Sequence, residues 1–181
     1  MLSKELEKLV EQFKGGDQRA FDKIYESTFK VVYFASYSIL GDKSMAENIT
    51  QDTYFSAFKR LNEYTTNNFL AYLVTIAKNL SFNEKKKFAR NTYVDFSANE
   101  ATYDTRFSNM PQENELGVVD IAKKLLSEQD FQIIIMCVVS GYKRREVADI
   151  LDLPISTVSY KYKSALATIE QYLKKRGVYH E

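Results

Sequence analysis

Apolar residues recur at helical spacing along almost the whole chain, and the pattern fails over one long stretch only, from Asn91 to about Glu115. Helical spacing on both sides of a single gap limits the chain to helical blocks joined by a linker. The gap is rich in Asn, Thr, Ser, Asp and Glu and contains Pro111, so it has too little apolar surface to pack. Elsewhere Pro154 is the only other proline, and the six glycines fall mostly between apolar runs. The expected fold is therefore all-α. Two small helical domains, residues 1–91 and 116–181, are joined by a flexible linker, 92–115. The second is expected to hold a helix-turn-helix, of winged-helix-like type without the wing, on the strength of residues 142–163.

Within the first block, Leu2, Leu6, Leu9, Val10 and Phe13 mark one amphipathic helix. Gly15-Gly16-Asp17 ends it, and Asp17 is placed to cap a helix through Ala20, Phe21, Ile24 and Tyr25. That helix is expected to bend or break before the aromatic stretch Val31–Leu40. Ser44 and Glu47 have capping-box spacing and would open a helix running to about Arg60. After the polar loop Asn62–Asn68, a further helix runs from Phe69 into Lys85-Lys86-Lys87. The second block carries expected helices at about 118–126, 129–139, 144–151 and 155–175.

Charge is unevenly distributed. Residues 53–90 carry seven basic side chains against two acidic ones, and 131–181 carry eight against five. Residues 91–130 carry three against eight. Two basic blocks separated by an acidic one suit contact with a polyanion at two places. The longest apolar run, Ile133–Val139, is too short to span a bilayer, and Met1-Leu2-Ser3-Lys4-Glu5 has no signal-peptide core, so no membrane insertion is expected. The single cysteine, Cys137, cannot form an internal disulfide and reads as a buried small hydrophobe, which makes the cytoplasm the expected compartment. The one histidine, His180, reads as a tail residue. No glycine loop for phosphate, no metal-ligand cluster and no nucleophile–base pair is present in the sequence, so neither an enzyme nor a cofactor is expected.

The strongest local signal runs from Tyr142 to Lys163. A short helix with Val147, Ala148 and Leu151 is followed by Asp152-Leu153-Pro154 and a second helix with Val158 and Tyr162. Ala148 supplies the small residue for close helix approach, and Val158 the apolar residue ten positions later. Asp152 stands where such turns often have glycine, and Asp tolerates left-handed backbone better than most residues. At about 100° per residue, Val158, Tyr162, Ala165, Leu166 and Ile169 project inward. Ser156, Thr157, Tyr160, Lys163 and Ser164 project outward, with Lys161 at the flank. Hydroxyls, an aromatic ring and lysines on that arc suit a major groove, while Lys143, Arg144 and Arg145 would meet phosphates.

In the first block, the helix from Ser44 would bury Ala46, Ile49, Thr50, Thr53, Ala57 and Leu61. Asn48, Gln51, Asp52, Phe55 and Lys59 face away, and a large ring among polar residues marks a partner surface. The helix from Phe69 buries Phe69, Leu73, Ile76, Ala77 and Leu80. Tyr72, Thr75, Lys78, Asn79, Phe82, Lys85 and Lys86 lie on its other sides, and cations interleaved with rings suit single-stranded DNA. From the residues alone, a stand-alone helix-turn-helix regulator with a helical sensor or dimerisation domain stays open beside a polymerase subunit, as does a helical signalling adaptor.

Ala46–Phe55 and Phe69–Leu80 together resemble region 2 of extracytoplasmic-function sigma factors. Leu126-Ser-Glu-Gln-Asp-Phe131, followed by Gly141-Tyr142 and the helix-turn-helix, is similar to their region 4. The resemblance implies a subunit that binds core RNA polymerase through the clamp helices of its largest subunit and through the flap. It also implies contact with promoter DNA both as duplex and as melted strand, and an anti-sigma partner. Polymerase contacts would fall on Asn48, Gln51, Asp52, Phe55 and Lys59, with Asn48 standing where the family usually has Asp. Contacts to the −10 element would fall on Tyr64, Tyr72, Thr75, Lys78, Asn79, Phe82 and Lys86. Among these, Tyr72 replaces the commonest Trp, while Lys78 and Asn79 match the melting helix, and nearby Asn83 replaces a common Asp. The loop Tyr64–Asn68 lies where relatives capture a flipped base. Contacts to the −35 element would fall on Lys143, Arg144, Ser156, Thr157, Ser159, Tyr160, Lys161 and Lys163, with Ser159 at a position where a basic residue is frequent.

Overall fold

The computed structural model describes residues 2–65, 67–91 and 113–175, and every regular element among them is helical. Helix α1 spans Leu2–Lys14, α2 Arg19–Leu40, α3 Lys43–Lys59 and α4 Phe69–Asn91, with a 3₁₀ turn at Leu61–Glu63. The second half holds α5 (Glu113–Leu125), α6 (Glu128–Ile134), α7 (Arg144–Leu151) and α8 (Ile155–Lys175). The expected linker up to residue 112, and His180, lie outside the described residues.

Local chemistry sets the breaks. Gly16 at φ 96° ends α1, where the Gly15 N–H donates to Glu11 O at 3.0 Å and the Asp17 N–H to Gln12 O at 3.0 Å. Gly41 at φ 72° ends α2, its N–H donating to Tyr37 O at 2.9 Å. Both conformations are open to glycine at little cost. Asp42, not Ser44, caps α3: its Oδ1 accepts from Met45 N at 2.8 Å. The capping-box spacing two residues later is overridden because Gly41 fixes where the chain can re-enter a helix. The cap position of α2 is Gln18, whose side chain makes no capping bond; Asp17, expected as the cap, lies one residue earlier and accepts from Arg19 N at 3.0 Å. Ser127 caps α6, which passes into a π-turn at Ile135–Val139. Cys137, on that turn, is only half-buried.

The expected bend in α2 does not occur. The helix runs unbroken for 22 residues, and every residue from Val31 to Ile39 is buried. An α-helix apolar on all sides needs neighbours on all sides. Helices α1, α3 and α4 cover part of it, and the second half of the chain covers the rest. Phe131 of α6, fully buried, meets Phe34 and Tyr37 with ring centroids 6.4 and 6.3 Å away. Gln132 Nε2 donates to Ser38 Oγ at 2.9 Å in a buried bond. Lys123 of α5 donates to Ser38 O.

The Asp120 carboxylate adds a polar edge to this seam. It accepts from Tyr37 Oη at 2.7 Å and pairs with Lys43 Nζ at 3.1 Å. Burial opposes its charge, but these two hydrogen bonds together with the charges of Lys43 and Lys124 outweigh that and hold the carboxyl below its ordinary range. Helix α4 joins the same seam through a second apolar stripe absent from the sequence reading: Leu70 and Val74 share one core cluster with Ile133, Met136, Tyr142 and Val147. The two halves are thus packed along α2 and α4.

Two measurements check this account. Asp42→Ala is expected to cost about 1 kcal/mol in urea denaturation, and Ser44→Ala less than about 0.5 kcal/mol. The Asp120 carboxyl has a depressed folded pKa, so its contribution is complete above the ordinary carboxylate range and is lost as pH falls through and below it. Thermal melting followed from pH 7 to pH 3 should therefore show a steeper loss for the wild type than for Asp120→Asn.

Candidate functional site

Three outward faces carry the residues singled out from sequence. On α3, Ala46, Ile49, Thr50, Thr53 and Ala57 are buried, as the spacing requires, and with them Leu61 beyond its end. Gln51, Phe55 and Lys59 follow at intervals of four, with Asp52 beside them, so they share one exposed stripe, and Asn48 sits half-buried at its edge. Phe55 is 72% exposed. Leaving such a ring in water forgoes about 1.5–3 kcal/mol of burial.

On α4, Thr75, Asn79, Phe82 and Lys86 form one exposed face at intervals of three and four, with Phe82 43% exposed. Phe88, one more exposed ring near the end of the same helix, went unnoticed in the sequence because it lies in a lysine-rich run. Lys78 differs from the others: it is half-buried, and burial lowers its pKa, with Glu128 of α6 acting in the opposite sense. Lys85 turns aside to donate to Ile39 O at 3.2 Å.

Tyr64 is not on this face. It is 7% exposed, its ring lies 5.2 Å from those of both Phe69 and Tyr72, and its hydroxyl donates to the Glu7 carboxylate. The expectation of a direct nucleic-acid contact is corrected here: Tyr64 is a buried anchor at the foot of the loop. Tyr72 remains half-buried beside it, so the pair forms the loop's aromatic base. Glu7, on α1, was not singled out from sequence, since its partners lie 57 and 62 residues away.

The helix-turn-helix forms as the residues demand. Asp152 adopts φ 53°, ψ 51°, the left-handed conformation expected of it. Val147 and Val158 are fully buried and Ala148 nearly so, while Leu153 N donates to Ala148 O at 3.0 Å across the turn. Ser156, Tyr160 and Lys163 stand on one exposed face, with Tyr160 73% exposed, and Thr157 and Ser159 half-buried beside it. Lys143, Arg144 and Arg145 are exposed, and the Arg144 guanidinium lies 5.7 Å over the Tyr162 ring, tying the start of α7 to α8. Two expectations change. Lys161 pairs with Asp130 at 3.0 Å, so its ammonium is turned to α6 and not to the groove face. Leu166, expected inward, is 38% exposed.

Comparison with known proteins follows the same division. Residues 24–91 match sigma-70 region 2, and residues 120–169 match sigma-70 region 4. The chain is 26% identical to the ECF RNA polymerase sigma factor BldN of Streptomyces coelicolor, over 89% of this chain and 64% of that protein. It is 25% identical to the ECF RNA polymerase sigma factor SigW of Bacillus subtilis, over 93% of this chain and 97% of that one. The fold is similar to that of the sigma factor RpoE from Bartonella quintana, solved with the anti-sigma factor NepR. There the TM-score is 0.58 at 20% identity, covering 85% of this chain and 96% of RpoE. It is also similar to CnrH, solved with the cytosolic domain of CnrY, with a TM-score of 0.63 at 20% identity, covering 92% of this chain and 96% of CnrH.

The lysine geometry makes a direct prediction for duplex binding. Lys163→Ala should lower the slope of log K against log salt by about one, as for one lost phosphate contact, whereas Lys161→Ala should leave it unchanged. Fluorescence anisotropy across a salt series measures both.

Proposed function

Because the chain belongs to the sigma-70 family, as a sigma factor of the extracytoplasmic-function type, we propose that it binds core RNA polymerase and directs promoter recognition, −10 melting and initiation. The observation that carries this reading is the occurrence of regions 2 and 4 in order on one chain, each with an outward face of the required chemistry. A stand-alone regulator is not favoured, because the first unit matches region 2 and not an unrelated sensor domain.

The roles divide by surface. Residues 1–91 act as one unit and 116–181 as the other. Gln51, Asp52, Phe55 and Lys59, with Asn48 at the edge, present a ring flanked by polar side chains to the clamp helices of the largest subunit. Such a ring in a polar rim is the usual anatomy of a docking hot spot. Thr75, Asn79, Phe82 and Lys86, with Tyr72 and Lys78 at the border, meet the melted −10 strand: cations attract phosphates and rings stack on unpaired bases. Ser156, Thr157, Ser159, Tyr160 and Lys163 face the −35 major groove, while Lys143 and Arg144 hold phosphates. The second unit also meets the polymerase flap.

The chain performs no chemistry itself, acts in the cytoplasm and is held inactive by an anti-sigma protein. Two observations support the last point: RpoE and CnrH, whose fold it shares, were each solved with a partner of their own. Among the described residues, no helix is long and apolar enough to cross a membrane.

In vitro transcription with core polymerase on genomic promoter fragments tests the reading: defined transcripts are expected, and absence of polymerase binding overturns it. Phe55→Ala should weaken core binding by about tenfold or more while leaving −35 duplex binding unchanged, as measured by competition for core polymerase.

A further inference from the structure

Helix α1 precedes the residues that match region 2, which begin at 24, yet it reaches the loop between the 3₁₀ turn and α4 at both ends. At the far end, Glu7 Oε1 accepts from Phe69 N at 2.6 Å. Phe69 opens α4, where backbone N–H groups have no partner within the helix and a carboxylate is favoured by the helix dipole. At the near end, the Tyr64 hydroxyl donates to Glu7 Oε1 and Oε2, both at 3.0 Å. Lys14, two turns along α1, donates to Tyr64 O at 3.3 Å and lies 5.4 Å over the Tyr64 ring.

One carboxylate therefore spans the loop, joining the residue where it starts to the residue where it ends. Asn68 is also committed, its Oδ1 accepting from Ala71 N at 3.2 Å and its Nδ2 donating to Asp149 O at 3.4 Å. Between these anchors Thr65 and Asn67 are exposed. Bonds to a charged group are short and directional, so they fix position better than apolar packing does.

We infer that Glu7, seconded by Lys14, is a positioning residue for promoter melting: it sets the distance between Tyr64 and Phe69, and so the place where Thr65 and Asn67 meet an unstacked base. This rests on the reading that the loop faces the melted −10 strand. Glu7 touches no nucleotide in this role and acts through Tyr64 and Phe69.

The test uses polymerase holoenzyme reconstituted with the full chain carrying Glu7→Gln or Tyr64→Phe. Open complexes are read by permanganate reactivity on a cognate promoter and on promoters substituted at each −10 base. Core affinity, −35 duplex binding and thermal melting are measured on the same proteins. Glu7→Gln is expected to lower open-complex yield about tenfold, as for one lost bond to a charged group, and to flatten discrimination between −10 bases. Core affinity and −35 binding should not change. Tyr64→Phe, which removes only a hydroxyl, should reproduce part of the effect, and the double variant should be no worse than Glu7→Gln alone, since both act through one contact. The inference is overturned if both single variants keep wild-type opening and discrimination. It is equally overturned if opening falls only in parallel with core affinity and melting temperature. Failure of the unaltered chain to form open complexes would instead overturn the functional reading on which the inference stands.

Discussion

The structure depends on the burial of the second half of α2, Val31–Ile39, from all sides. These nine consecutive buried residues leave the second half of the helix no solvent face, so that half cannot stand at the edge of a three- or four-helix unit, while Asp22, Lys23, Glu26 and Lys30 keep the first half solvated. Its remaining flank carries Phe34, Tyr37 and Ser38, and each is met by a group from the second half of the chain: Phe131, Asp120 and Gln132. The pairing is specific in kind, with ring on ring and polar on polar. Ser38 in particular would be a buried hydroxyl without its contacts to Ala35 O and Gln132. The seam between the units thus follows from the composition of one helix. It mixes apolar and hydrogen-bonded contacts, as interfaces between domains of one chain commonly do.

What was legible in the sequence follows from how local each signal is. The turn and close approach of the helix-turn-helix were readable to the residue because their determinants lie within twenty positions: Ala148 and Val158 for the close approach, Asp152 for the left-handed turn. The inward set of α3 was readable for the same reason. Most of the differences from expectation involve partners distant in sequence. Lys161 looked like a groove residue until Asp130, 31 positions earlier, claimed it. Tyr64 looked like a loop aromatic until α1 supplied a carboxylate beneath it. The bend expected before the aromatic run of α2 does not form, because the rings find partners on the neighbouring helices and on the second half of the chain. Ser44 and Glu47 matched a capping pattern, but Gly41 placed Asp42 at the cap first.

The exposed rings show the opposite situation, where local stability is given up. Phe55 and Tyr160 are the most exposed large apolar side chains among the described residues, and each sits on a face of polar or charged neighbours at helical spacing. Burial would be worth about 1.5–3 kcal/mol for each, and both helices have inner faces already filled. Sites of recognition are where a sequence departs from the rule of hiding apolar surface, so these two faces stand out from the rest of the surface on physical grounds. Lys78 shows a weaker version of the same departure: a cation held half-buried beside a seam, at a cost that a purely structural position would avoid by neutral packing.

Helix α1 explains why this arrangement needs a segment outside the region-2 match. Thirteen residues form a marginal helix alone, so α1 exists through its packing, and Leu6 and Val10 are its buried anchors. Burying Val10 fixes the rotation of the helix. At 3.6 residues per turn, Glu7 lies one turn before Val10 on the same side and Lys14 one turn after. The apolar contact that makes the helix stable is therefore what aims a carboxylate at Phe69 N and an ammonium at Tyr64 O. A change that slid α1 by one residue would rotate both charges about 100° away from the loop while costing little amphipathicity. The loop's geometry is thus set by the register of α1, and the register is set by Val10.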